Sequence, residues 1–201
     1  MVTETQYSAG LMSQSFWFLE FKKVVKLRQS DMDYEDIRKK CIDDNLFGAA
    51  KEYRALRMAG YVINRVKTMD DQLMEIFLSS ELETQKLINL AAIMKTDRLF
   101  FEFVYEVYRE KSILGVGVLE NADVNVFFTQ KEAQSELIAG WTDSTKQKLR
   151  RCYLNFMTDA NLLTEINKKK TITPPIVDIL FERYLISSGE EVLLKALTGV
   201  N

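Results

Sequence analysis

Between Asp143 and Ala160, Leu149, Cys152, Tyr153, Phe156, Met157 and Ala160 recur at helical i, i+3, i+4, i+7 spacing without a gap. That spacing puts all six on one stripe of an α-helix. Nothing else in the 201 residues restricts the fold as tightly, because so continuous an apolar stripe must be covered by other elements. Ser144 and Gln147 have the Ser-x-x-Gln spacing of a capping box, and Thr142 and Asp143 offer further N-terminal acceptors. Away from the stripe lie Lys146, Lys148, Arg150, Arg151 and Asn155, of which Lys148, Arg151 and Asn155 share one face.

The flanks add to this helix. Before it, a helix pair is predicted over 122–128 and 130–139, followed by a Gly140–Trp141 turn. After it, 163–166 and 171–173 can pair as short strands around Asn167-Lys168-Lys169-Lys170. Helix, turn, basic helix and hairpin in that order are one way to build a winged helix-turn-helix. There, one helix enters a DNA major groove and the hairpin grips the backbone. Lys168, Lys169 and Lys170 at a hairpin tip suit phosphate contact. Pro174-Pro175 stops the second strand, and Pro175 is placed to start a helix carrying Ile176, Ile179, Leu180 and Tyr184.

Upstream, helical patterns run nearly without interruption. Glycine (8) and proline (2) are scarce, so helices with short connections are expected. A first helix to about residue 29 directs Trp17, Phe21, Val24 and Val25 inward, and a second places Tyr34, Ile37 and Cys41 on one stripe. The third, about 49–67, has core spacing at Tyr53, Leu56, Gly60 and Ile63. It leaves Lys51, Arg54, Arg57, Tyr61 and Arg65 as a basic stripe, a second candidate phosphate surface. Helices near 70–80 and 81–95 follow. The next, capped by Thr96 or Asp97, is apolar on nearly all sides and belongs at the centre of a bundle. Residues 113–119, with Gly115-Val116-Gly117, read as a connector. The expected organisation is an N-terminal helical subdomain over 1–114 and a C-terminal one over 120–201, tightly packed or forming one domain. The fold class is all-α: a compact multi-helix bundle with a helix-turn-helix-like C-terminal part and room for one short β-hairpin.

Several kinds of chemistry are excluded. Histidine is absent, which removes histidine bases, nucleophiles and metal ligands. Cys41 and Cys152 are far apart, without zinc spacing, and read as buried reduced thiols, as in the cytoplasm. Asp43-Asp44, Asp70-Asp71 and Glu190-Glu191 are neighbours that point apart on a helix, so they are not acid/base pairs. No phosphate-loop, Gly-x-Ser-x-Gly or kinase motif occurs. The expectation is a non-enzyme without cofactor, metal or small-molecule substrate. No segment approaches the ~18 apolar residues of a membrane span. The net charge of −2 still allows a local basic patch.

Four segments carry a family likeness: Tyr7-Ser8-Ala9-Gly10-Leu11; Ala50-Lys51-Glu52-Tyr53-Arg54; Leu90-Ala91-Ala92-Ile93 leading into Asp97-Arg98-Leu99; and Trp141-Thr142-Asp143-Ser144-Thr145-Lys146-Gln147-Lys148-Leu149-Arg150. In combination, and in this order along nearly the whole chain, they resemble the BrxA proteins of BREX (bacteriophage exclusion) defence systems. The resemblance implies a small, mostly helical protein similar in fold to NusB, the antitermination factor. It also implies a non-enzymatic role beside the BREX methyltransferase, ATPase and phosphatase-like components, and binding to double-stranded DNA. The inner-membrane label sometimes given to such proteins conflicts with the hydropathy here. The site residues are read from this sequence alone: Lys146, Lys148, Arg150, Arg151 and Asn155 on the helix, Lys168 to Lys170 on the hairpin, and Lys51, Arg54, Arg57 and Arg65 as an extension. The alternatives are an adaptor that docks other BREX proteins through an apolar patch, or NusB-like RNA binding.

Overall fold

The computed structural model describes residues 6–199, which divide into two units. Residues 16–96 form one of them. It comprises α1 (Phe18–Gln29), α2 (Tyr34–Asp43), α3 (Glu52–Val66), α4 (Asp71–Ser79) and α5 (Leu82–Thr96). Aspartates start two of these helices. The Asp33 carboxylate accepts from the Asp36 amide and that of Asp70 from the Leu73 amide, each satisfying an N–H that the helix cannot. Phe21, Val24 and Val25 of α1 are buried with Ile37 and Cys41 of α2, as their spacing predicts. Phe21 meets Phe77 of α4 edge-on at 5.3 Å. The core face of α3 differs from the sequence expectation. Ala55, Ala59, Val62, Ile63 and Val66 are buried, while Tyr53 and Leu56 are exposed. Two alanines on the buried face let α3 lie close to its neighbours, and that face wins over the larger side chains.

The second unit contains, of the described residues, 6–15 and 97–199. Its centre is a helix in three registers: α6 (Arg98–Phe103), a π-helical segment (Val104–Tyr108) and α7 (Arg109–Ile113). Leu99, Phe100, Phe103, Val104 and Tyr108 are fully buried, the central position expected of so apolar a helix. Next come β1 (Val118–Leu119), α8 (Asn121–Gln134), α9 (Glu136–Ala139), α10 (Asp143–Asp159), β2 (Leu163–Ile166), β3 (Lys169–Ile172), α11 (Ile179–Ser187) and α12 (Glu191–Thr198). The three strands form an antiparallel sheet in the order β1-β3-β2. Tyr153 of α10 packs on Phe100 at 5.0 Å and Phe103 at 5.3 Å, so the stripe of α10 closes this core. The N-terminal segment joins it too. Leu11, in a 3-10 turn over Gly10–Ser13, is 1% exposed, and the Cys152 thiol donates to the Leu11 carbonyl at 3.2 Å.

Three local expectations change. The segment 113–119, expected as a connector, ends in a sheet edge, since Val118 pairs with Thr171 and Leu119 with Lys170. The units instead meet along the chain at 15/16 and 96/97. The helix pair before α10 breaks at Ser135, whose hydroxyl accepts from the Ile138 amide, not near Thr129. Pro175 does not start α11. Residues 174–178 are non-helical, Ile176 is 96% exposed, and Asp178 caps the helix.

Candidate nucleic-acid interface

The N-cap of α10 is Thr142, whose hydroxyl accepts from the Thr145 amide at 3.2 Å; Ser144 lies inside the first turn. Among three consecutive acceptors, the first with extended backbone takes the cap. Leu149, Cys152, Tyr153, Phe156, Met157 and Ala160 are all buried, as the stripe requires. Lys148, Arg151 and Asn155 are exposed along the opposite face. Lys146 differs: its ammonium meets Glu132 at 2.6 Å and Asp143 at 3.2 Å. The hydrogen bonds it donates to those two carboxylates hold its pKa above the ordinary lysine value. Its charge is answered inside the protein.

The hairpin turns more tightly than expected. Asn167 (φ 50°) and Lys168 (φ 63°) are its two central residues, both in the left-handed region typical of a two-residue type I′ connection. Lys169 pairs with Ile166 and Lys170 with Glu165, so both belong to β3. Neighbours on a strand point to opposite faces, so the three lysines do not form one tip cluster. Lys168 and Lys169 are exposed, whereas the Lys170 ammonium meets Glu165 at 2.9 Å and donates to the Thr158 hydroxyl of α10 at 3.4 Å.

Lys170 is thereby brought against α10. It lines one groove together with Gln147, Arg150, Arg151, Leu154 and Asn155. Gln147 and Arg150 also border a second depression, where Asn125, Thr129, Glu132 and Asp143 face Lys146. The Arg150 guanidinium donates to the Asn125 side chain at 3.3 Å there. The first groove joins cations to neutral groups, and the second contains two carboxylates. In the sequence Gln147 reads only as a capping-box member and Asn125 carries no signal, since a neutral amide on a solvated helix face gives no binding pattern.

The proposed extension in the other unit is mixed. Lys51, Arg54 and Arg57 are exposed. Arg65 is a correction: it is 1% exposed and its guanidinium donates to the Phe16 carbonyl at 2.8 Å, so it cannot reach a phosphate. A basic residue on a helix was read as surface, but this one is turned inward to satisfy a backbone oxygen.

Glu102 lies at the centre of a buried polar cluster in the second unit. It accepts from Arg98 Nε at 2.7 Å and from the Tyr7 hydroxyl at 2.9 Å, and pairs with Lys131 at 2.6 Å. Lys131, 3% exposed, also meets Glu106 at 2.6 Å. Burial alone would raise the Glu102 carboxyl, but hydrogen bonds from Lys131, Arg98 and Tyr7 outweigh it and hold the pKa below the usual value. Asp97 shows the opposite balance. It caps α6 through the Phe100 amide at 2.8 Å, yet burial pushes its pKa up to about 6. Among the described residues, no group of three or more His, Cys, Asp or Glu side chains could hold a metal ion. No helix of the described residues is long and apolar enough to cross a membrane.

The sequence profile of the BrxA family matches residues 5–189. The chain belongs to the BrxA family. It is 35% identical over 199 residues to a Bacillus cereus (strain H3081.97) protein described as BREX protein BrxA, covering 99% of this chain and all of that one. The crystal structure of an uncharacterized protein from Magnetospirillum magneticum superposes with a TM-score of 0.84. It covers 98% of this chain and all of the other at 18% identity, a likeness of fold. Much of the BrxA-like sequence has a structural role. Tyr7 and Arg98 hold Glu102, Leu11 is buried on α10, Asp97 caps α6, and Thr142 caps α10. Glu52, Tyr53 and Arg54 are exposed instead.

Proposed function

We propose that this chain is a non-enzymatic, duplex-DNA-binding accessory protein of a BREX phage-defence system. The observation that carries the reading is the groove in which Arg150, Arg151 and Asn155 of α10 meet Lys170 of the hairpin. Helix–strand–helix–helix–helix–hairpin order and a β1-β3-β2 sheet suit a winged helix, with α10 in the place of the groove-reading helix. Lys148, Arg150, Arg151 and Lys168 contact phosphates, Lys170 borders the groove while paired with Glu165, and Asn155 is set to reach a base edge. Lys146 leaves the contact set because Glu132 and Asp143 already neutralise it.

Four phosphate contacts give a log–log salt slope of about −3.6 for duplex DNA. Titration of a labelled duplex at several salt concentrations measures it. Lys148→Glu with Arg151→Glu weakens binding at least about tenfold and flattens the slope, whereas Lys146→Gln changes affinity little. Unchanged binding by the double charge reversal overturns the site. Exposed apolar residues support a second reading, docking of another BREX protein: Ile176, Ile179, Leu180 and Ile186 lie open on and beside α11. Loss of a co-purifying BREX protein from nuclease-treated lysate in Ile176→Asp tests it.

A further inference from the structure

We propose that the exposed stripe of α3, with Trp17 beside it, is a stacking platform for unpaired nucleotides, a site separate from the duplex groove of α10. Tyr53, Leu56, Arg57, Tyr61 and Asn64 fall on one face of α3 and line a shallow groove with Arg38 of α2. The floor is Gly60, where an added Cβ would meet nothing within 4 Å. Tyr53 is 57% exposed. The Tyr61 ring lies 6.2 Å from that of Trp17, nearly parallel at 22°. Aromatic rings on a rigid helix face, with a further ring held beside them, are what successive bases stack on, with little regard to sequence.

The charges around the rings identify the ligand. Among the described residues, those lining the groove include two arginines and no carboxylate. Lys51, just before the helix, and Arg54 on it are exposed, and Arg54 Nε donates to the Tyr53 hydroxyl at 3.4 Å. Flat apolar rings bordered by guanidinium groups match a chain of bases joined by phosphates. Stacked base pairs hide the faces of their bases, so the nucleotides bound here are unpaired ones, of DNA or RNA.

The platform is also held in place. Trp17 has φ 47°, a left-handed conformation that is an outlier for a bulky residue. Two buried side chains maintain it. Arg65 donates to the Phe16 carbonyl at 2.8 Å and Asn89 at 3.0 Å, and the Arg65 guanidinium sits 5.6 Å from the centre of the Trp17 ring. Groups from α3 and α5 thus fix the backbone that sets Trp17 beside Tyr61. Strain maintained by surrounding structure is a mark of a preorganised site.

The test uses the full chain with Trp141→Phe, which leaves Trp17 as the tryptophan reporter. Labelled oligo-dT and oligo-rU of about 12 nucleotides are titrated beside a duplex, following anisotropy and Trp17 emission. Single strands quench Trp17, and the two oligomers show which sugar is preferred. Tyr53→Ala with Arg57→Ala weakens single-strand binding about tenfold or more and leaves duplex binding unchanged. Lys148→Glu with Arg151→Glu does the reverse, so failure here and failure of the duplex site are told apart. Gly60→Leu fills the groove floor while removing a helix glycine. It weakens single-strand binding and raises the melting temperature, a pairing that damage to the fold cannot produce. The proposal is overturned if neither oligomer binds, if binding leaves Trp17 emission unchanged, or if Tyr53→Ala with Arg57→Ala binds as the parent does. It is overturned equally if that double variant abolishes self-association or a protein contact with no loss of oligomer binding.

Discussion

Single residues show how this protein balances burial against charge. Asp97 caps α6 but loses most of its water, and its pKa rises to about 6. An aspartate raised in the native state binds its proton more tightly there than in the unfolded chain. Stability contributed by this residue therefore falls as pH rises from about 4 to about 6, and the full penalty remains at pH 7 and above. Asparagine caps as well as aspartate and carries no charge. Asp97→Asn is expected to stabilise the protein by about 1–2 kcal/mol near pH 7.5 and by little near pH 4. Urea unfolding of both proteins at the two pH values measures this, and an equal effect at both would remove the assigned cause. Glu102 works in the other direction. Its lowered pKa means that its stabilisation is present above the usual glutamate pKa and is lost as pH falls through the lowered one.

At the scale of elements, the hairpin offers a separation of stability from binding. Lys168 occupies a left-handed position that glycine adopts without steric cost. Lys168→Gly is expected to leave the melting temperature unchanged or raise it slightly, and to weaken duplex binding a few-fold by removing one phosphate contact. Thermal unfolding and a duplex titration on the same variant check both. This hairpin also shows how far sequence carries. The strands at 163–166 and near 171 are legible in the sequence, but Asn167-Lys168 lacks the glycine that announces a two-residue turn, so sequence pattern alone predicts a longer loop than the one formed. The stripe of α10 was read without error because its buried residues are all large and apolar. On α3 the same spacing rule chose the wrong face. Ala55 and Ala59 carry little hydrophobic weight, and their value appears only when another helix lies close. Arg65 was beyond the reach of pattern, since its role depends on a carbonyl 49 residues away. The candidate duplex site was thus legible in its cations, but not in which of them the fold neutralises.

For the whole molecule, one chain order governs how the parts are completed. Residues 6–15 belong with residues 97–199, although 16–96 make a unit of their own. Leu11 is the anchor of that N-terminal segment, buried at 1% exposure beside Cys152. Leu11→Ala is expected to cost about 2–5 kcal/mol, the range for a buried leucine. Equilibrium unfolding measures it, and a loss under about 1 kcal/mol would show that the segment is not seated on α10. The same contact sets a timetable during synthesis. Leu11 leaves the ribosome early, but the helix that receives it ends near residue 159. The stretch from 97 to 159 takes roughly 3–13 s to translate at ~5–20 residues per second. Throughout that interval, residues 16–96 have all been made while the leucine that must cover the second unit has nowhere to go. A nascent chain of this protein therefore carries an apolar side chain whose cover has yet to be made, which a chaperone or a neighbouring nascent chain can seize.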